Sequence, residues 1–169
     1  KTLLYSFTLL LIVACSSAKT TQKAINMGDY DKAINLALQK LRNNKTKKGN
    51  QQYVFMLEEA FAKVTERDLG QIRFLKNESN PENLERIYKL YVDLNNRQER
   101  IRPLLPLPII ESSKNAQFKF NNYSNDLITS KNELSQYLYE QAVGGINTTD
   151  KNSLRGIYYN LEYLEEINP

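Results

Sequence analysis

The sequence predicts an all-α fold. Three observations carry that prediction: apolar residues recur at the three-and-four spacing of one helical face over most of the chain, helix-start and helix-stop residues bracket those stretches, and the period-two alternation of a half-buried strand is almost absent.

The chain opens with Lys1, the apolar run Leu3–Val13 and then Ala14-Cys15-Ser16-Ser17. A run of about a dozen residues makes roughly 18 Å of helix, too short for an apolar bilayer core of ~30 Å but the right length for the core of a secretory signal. The sole cysteine of the chain follows it directly.

Ala18–Asn43 then holds two short amphipathic segments around Gly28-Asp29-Tyr30. Ala24, Ile25 and Met27 mark the first; Ala33, Ile34, Ala37 and Leu41 mark the second. Gly28 suits a left-handed helix stop, and Asp29 suits the cap of the next helix.

The polar stretch Lys45-Thr46-Lys47-Lys48-Gly49 ends this pair, and Gln51–Arg67 resumes helix with Val54, Leu57, Phe61 and Val64 in one row and Tyr53, Met56 and Ala60 in a second. Asp68–Lys76 reads as a short separate partner helix. Asn80-Pro81-Glu82 is a helix start with cap, proline and first-turn acid in order, and the helix runs through Leu84, Ile87, Tyr88, Tyr91 and Leu94 toward Arg102.

Prolines at 103, 106 and 108 stop it, since each ring removes a donor and clashes with the turn before. Residues 103–111 are therefore expected as an extended linker between N-terminal helices (15–102) and a C-terminal helical hairpin (112–169). Within that hairpin Ser112 or Ser113 is expected to cap a long helix with Phe120, Tyr123, Leu127, Leu134 and Leu138 on one side, ending at Gly144-Gly145. Thr149 or Asp150 starts the last helix, with Leu154, Ile157, Leu161 and Leu164. The chain begins without methionine and stops at what reads as a repeat's end, so it is expected to continue beyond Pro169.

Two resemblances give these elements a context. Ile12-Val13-Ala14-Cys15 resembles a bacterial lipobox, which implies a signal peptide over 1–14, cleavage before Cys15 and acylation of that cysteine. Ser16 and Ser17 resemble the sorting context of outer-membrane lipoproteins, which implies a lipid anchor on the periplasmic face. Gly28-Asp29-Tyr30-Asp31-Lys32-Ala33-Ile34 resembles the turn and second-helix start of a tetratricopeptide repeat, and Glu165-Glu166-Ile167-Asn168-Pro169 resembles a repeat's end. Together they imply a tetratricopeptide-like solenoid of three to four helix pairs, in the manner of repeat-bearing lipoproteins of double-membraned bacteria.

Chemistry is sparse. With no histidine and one cysteine, an intrachain disulfide and soft-metal sites are excluded. Glu58-Glu59 and Glu165-Glu166 are adjacent on helices, about 100° apart, so neither pair converges on one atom. No nucleophile elbow or phosphate loop occurs, and the chain is read as a non-enzyme without metal or cofactor.

Nucleic acid is not an expected partner of an exported chain. The cluster Lys40, Arg42, Lys45, Lys47 and Lys48 lies near Cys15 in sequence, so Lys45, Lys47 and Lys48 are candidates for contact with anionic head groups.

Partner-binding candidates lie on the helix from Pro81, whose polar face carries Glu82, Glu85, Arg86, Lys89, Asp93 and Arg97, with internal pairs Glu82–Arg86, Glu85–Lys89 and Asp93–Arg97 available. Tyrosine is abundant, 11 in all, and Tyr137, Tyr139, Tyr158, Tyr159 and Tyr163 crowd the last two helices; Tyr137, Tyr158 and Tyr159 join the candidates. The expected function is an envelope scaffold or assembly factor that binds another envelope protein. The rival is a glycan- or nutrient-binding lipoprotein beside an outer-membrane transporter, which the lack of tryptophan disfavours.

Overall fold

A computed structural model describes residues 17–168; their regular structure is helical apart from one pair of two-residue strands. Cys15 and the apolar run before it lie outside the described residues. The helices are α1 (17–26), α2 (Tyr30–Asn43), α3 (Gln51–Glu78), α4 (Leu84–Ile101), α5 (Ser124–Gly145) and α6 (Lys151–Ile167); β1 (Pro108–Ile109) pairs antiparallel with β2 (Lys114–Asn115). Two compact units divide the chain. One takes the described residues through Leu69 with Asn96–Asn121, the other Gly70–Asn95 with the described residues from Asn122, so the borders fall inside α3 and α4.

In the first unit, α1 stops as expected. Gly28 has φ +76°, its N–H reaches Ile25 O at 3.0 Å, and the Asp29 N–H reaches Ala24 O at 2.9 Å. Asp29 then caps α2, its carboxylate accepting the Lys32 N–H at 3.3 Å. The α2 row predicted from spacing, Ala33, Ile34, Ala37 and Leu41, is buried together with Leu38, and Val54, Leu57, Ala60, Phe61 and Val64 of α3 join it in one core.

Asp68–Lys76 is not a separate helix. α3 runs unbroken for 28 residues, because the Asp68 carboxylate is held by two arginines and has no call to leave the helix as a cap.

The 103–111 segment is no free linker either. Leu107 is fully buried in the first unit's core, and Leu104, Leu105 and Ile109 pack on it. The long helix expected from Ser112 or Ser113 starts only at Ser124; Ser113 has φ +53° and 116–123 is non-helical.

Helix side chains explain why this stretch needs no helical hydrogen bonds of its own. Gln51 Oε1 accepts the Ile110 N–H at 3.0 Å and Glu58 Oε1 the Gln117 N–H at 2.8 Å; the Gln98 amide both accepts from Asn121 N (2.7 Å) and donates to Asn121 O (2.9 Å). The spacing of Phe118 and Phe120 then puts both rings against Phe61, with centroids 5.7 and 5.6 Å away.

In the second unit Asn80 caps as predicted, accepting from the Glu82 N–H at 3.1 Å, although Pro81–Asn83 is a 3₁₀ turn leading into α4. The unit buries Ile72, Leu75, Ile87, Tyr91, Leu94, Tyr123, Leu134, Leu138 and Ala142. Asp150 caps α6 through the Ser153 N–H at 2.8 Å, and α6 packs on α5.

Candidate functional site

Arg97 was expected on a partner-facing strip; it is the centre of a buried ion cluster in the first unit. Its Nε and one terminal nitrogen donate to the two Asp31 oxygens at 2.6 and 2.9 Å, and the other terminal nitrogen donates to Asp68 Oδ2 at 2.7 Å. Asp68 Oδ1 accepts from Arg67 Nε at 2.9 Å, and the Arg67 guanidinium lies 5.5 Å from the Tyr30 ring centre.

The Arg97 side chain is 5% exposed, Asp68 1% and Asp31 48%. Burial disfavours the arginine's charge, but the Asp31 hydrogen bonds and the two nearby carboxylates outweigh it and raise its pKa. The Arg97 hydrogen bonds in turn hold Asp31 below the usual aspartate range, against the opposing effect of its partial burial. A guanidinium forked onto two carboxylates and shut from solvent is a fastening between α2, α3 and α4, and its burial closes it to a partner.

Of the other α4 candidates, Arg86, Lys89 and Asp93 are exposed. Arg86 and Lys89 make contacts within the second unit. Arg86 Nε donates to the side-chain oxygen of Gln71 on α3 at 3.2 Å. Lys89 forms the predicted ion pair with Glu85 and sits 5.4 Å from the ring centre of Tyr163 on α6. The Glu85 hydrogen bond raises the Lys89 pKa, and burial raises that of Tyr163.

Among the basic candidates Lys45 is taken up: its ammonium donates to Leu104 O and Pro106 O, both at 2.9 Å, clipping the proline segment in place. Lys47 and Lys48 stay exposed.

The C-terminal hairpin differs from the rest. Tyr137 is half-buried, whereas Tyr158 and Tyr159 are exposed, their rings in edge contact with centroids 6.1 Å apart. In the same hairpin Tyr139, Val143, Ile146, Leu154 and Leu161 are exposed as well.

Leu154 and Leu161 belong to the apolar row predicted to pack; only its other members, Ile157 and Leu164, are even partly buried. The two apolar rows of α6 are visible in the sequence; that α5 covers only one of them is a matter of packing. Gly145 lets that cover come close, since a β-carbon there would meet Ile157 Cδ1 at 2.7 Å.

A surface cleft of about 340 Å³ lies in the second unit at the α3–α4 turn, between Leu75, Pro81, Leu84 and Ile87, with Lys76 and Glu133 at its edge. No group of three metal-ligating side chains occurs among the described residues, and no described helix is long and apolar enough to cross a membrane. No protein-family model matches the chain, and no curated protein or solved structure shows significant similarity to it.

Proposed function

We propose that this chain is a lipid-anchored protein of the bacterial outer membrane that works by binding other proteins, as a scaffold or assembly factor of the cell envelope. The observation that supports this most is the apolar surface of the α5–α6 hairpin, where Tyr139, Val143, Ile146, Leu154, Tyr158, Tyr159 and Leu161 are all exposed. Apolar side chains scattered singly on a surface need no explanation; this many on one hairpin mark a surface that a partner covers.

A repeat-like reading agrees with it. A helical hairpin in a tetratricopeptide-like array buries one face on its own partner helix and offers the other to a neighbour. The α1–α2 turn, with left-handed Gly28 and capping Asp29, has the local chemistry of such a unit.

The anchor rests on Ile12-Val13-Ala14-Cys15, and exposed Lys47 and Lys48 supply positive charge for anionic head groups. Cys15→Ser is expected to abolish palmitate labelling and release the chain from the outer-membrane fraction; retained labelling overturns the anchor. Paired Leu154→Ser and Leu161→Ser substitutions are expected to leave folding intact and to reduce recovery of cross-linked envelope partners. Unchanged recovery overturns the hairpin as the binding surface.

A further inference from the structure

We infer that the exposed stripe of α6 binds a second copy of this chain, its α6 running antiparallel about a two-fold axis through Tyr158. The inference rests on the reading of the hairpin as a protein-binding surface and names the partner of one part of it. Leu154, Tyr158 and Leu161, at 45%, 62% and 47% exposure, follow one another at helical spacing and form the apolar centre of the stripe.

Charge decides what covers it. The N-terminal half of α6 carries Lys151 and Arg155, and the C-terminal half carries Glu162 and Glu165, all exposed. This is the reverse of what the helix dipole favours, with a cation in the first turn and acid in the last. Spacing within the helix does not help either: Lys151–Arg155 is a like-charged i,i+4 pair and Glu162–Glu165 a like-charged i,i+3 pair. None of the four forms an ion pair among the described residues; Glu166, by contrast, bears on Lys89.

The arrangement costs the helix stability locally and is resolved by an antiparallel copy. Lys151 and Glu165 lie seven residues either side of Tyr158, about 10 Å along the axis at 1.5 Å per residue, so each Lys151 falls opposite the other copy's Glu165. Arg155 and Glu162 share one flank of the stripe and meet in the same way. Leu154 and Leu161 share the other flank, where Leu154 of one copy meets Leu161 of the other. The patch is isologous, as a two-fold dimer requires, and the two helix dipoles oppose. A single helix stripe is small for an interface, so the dimer is weak in solution, and tethering both copies to one membrane would raise their effective concentration.

The test is a charge exchange read by sedimentation of the full chain in non-ionic detergent at about 100 μM and low salt, where surface charge acts most strongly. Wild type is expected to approach twice the mass of its own monomer, measured at high dilution. Lys151→Glu with Arg155→Glu, and separately Glu162→Lys with Glu165→Lys, are each expected to weaken dimerisation about tenfold or more, and an equimolar mixture of the two variants to restore it. Both exchanges agree with the helix dipole, so lost helix is not the expected cause, and circular dichroism checks it. A monomeric wild type, variants that dimerise unchanged, or a mixture no better than its components overturns the second-copy inference. If the chain is monomeric while Leu154→Ser with Leu161→Ser still costs partner recovery, the surface serves a different protein; if recovery is also unchanged, both readings fall.

Discussion

α2 and α6 are both short amphipathic helices opened by an aspartate cap, yet they end in opposite environments. α2 buries five side chains, Ala33, Ile34, Ala37, Leu38 and Leu41; α6 buries none. The difference is in what surrounds them. The α2 row belongs to a core that also takes in α3 residues, Ile101 and the 104–120 segment, whereas α6 leans on α5 along one row and leaves the other in solvent. Amphipathicity therefore sets that a helix has a face to cover, and the neighbours set whether it is covered.

That contrast can be broken most severely in the first unit. Leu57→Ala, which truncates a fully buried α3 side chain, is expected to cost about 2–5 kcal/mol in urea unfolding, whereas Leu161→Ala on α6 changes stability by about 0.5 kcal/mol or less. Equal losses would mean that α6 is as well covered as the core.

Next in size is the ion cluster. Arg97→Ala leaves the Asp68 carboxylate buried with Arg67 alone and is expected to cost about 3 kcal/mol, most of it recovered in Arg97→Met with Asp68→Leu. A double variant as unstable as the single one would show that the cluster holds α4 by more than charge compensation.

The same cluster gives a pH dependence. The Asp31 pKa is lowered in the fold, so its contribution is full above the unfolded aspartate value of about 3.9 and is lost as pH falls through the lower folded value. Thermal midpoints followed from pH 6 downward are expected to drop below about pH 4, and less steeply in Asp31→Asn. A rise on acidification would contradict the sign.

The smallest effects lie in the hairpin and compare neighbouring glycines. Gly145→Ala forces Ile157 aside and is expected to lower the thermal midpoint, while Gly144→Ala and Gly156→Ala meet open space in or beside helix and are expected to gain about 0.5–1 kcal/mol each. A neutral Gly145→Ala would show that Ile157 can swing away and that the α5–α6 contact is loose.

From the sequence alone the all-α class, the Gly28-Asp29 turn, the Asn80 cap, an α6 cap at Thr149 or Asp150 and the α2 core row were legible, because capping and helical periodicity act between residues a few positions apart. Tertiary structure alone decided the rest. Asp68 continues a helix because Arg97, 29 residues later, meets its charge. The 103–121 stretch gives up the helix expected after Ser113 because Gln51, Glu58 and Gln98 supply its backbone partners from far along the chain. Arg97 and Lys45 read as surface charges until distant carboxylates and carbonyls claim them. Periodicity shows which side of α6 is apolar, but which of its two rows remains open depends on where α5 packs, and nothing local in α6 encodes that.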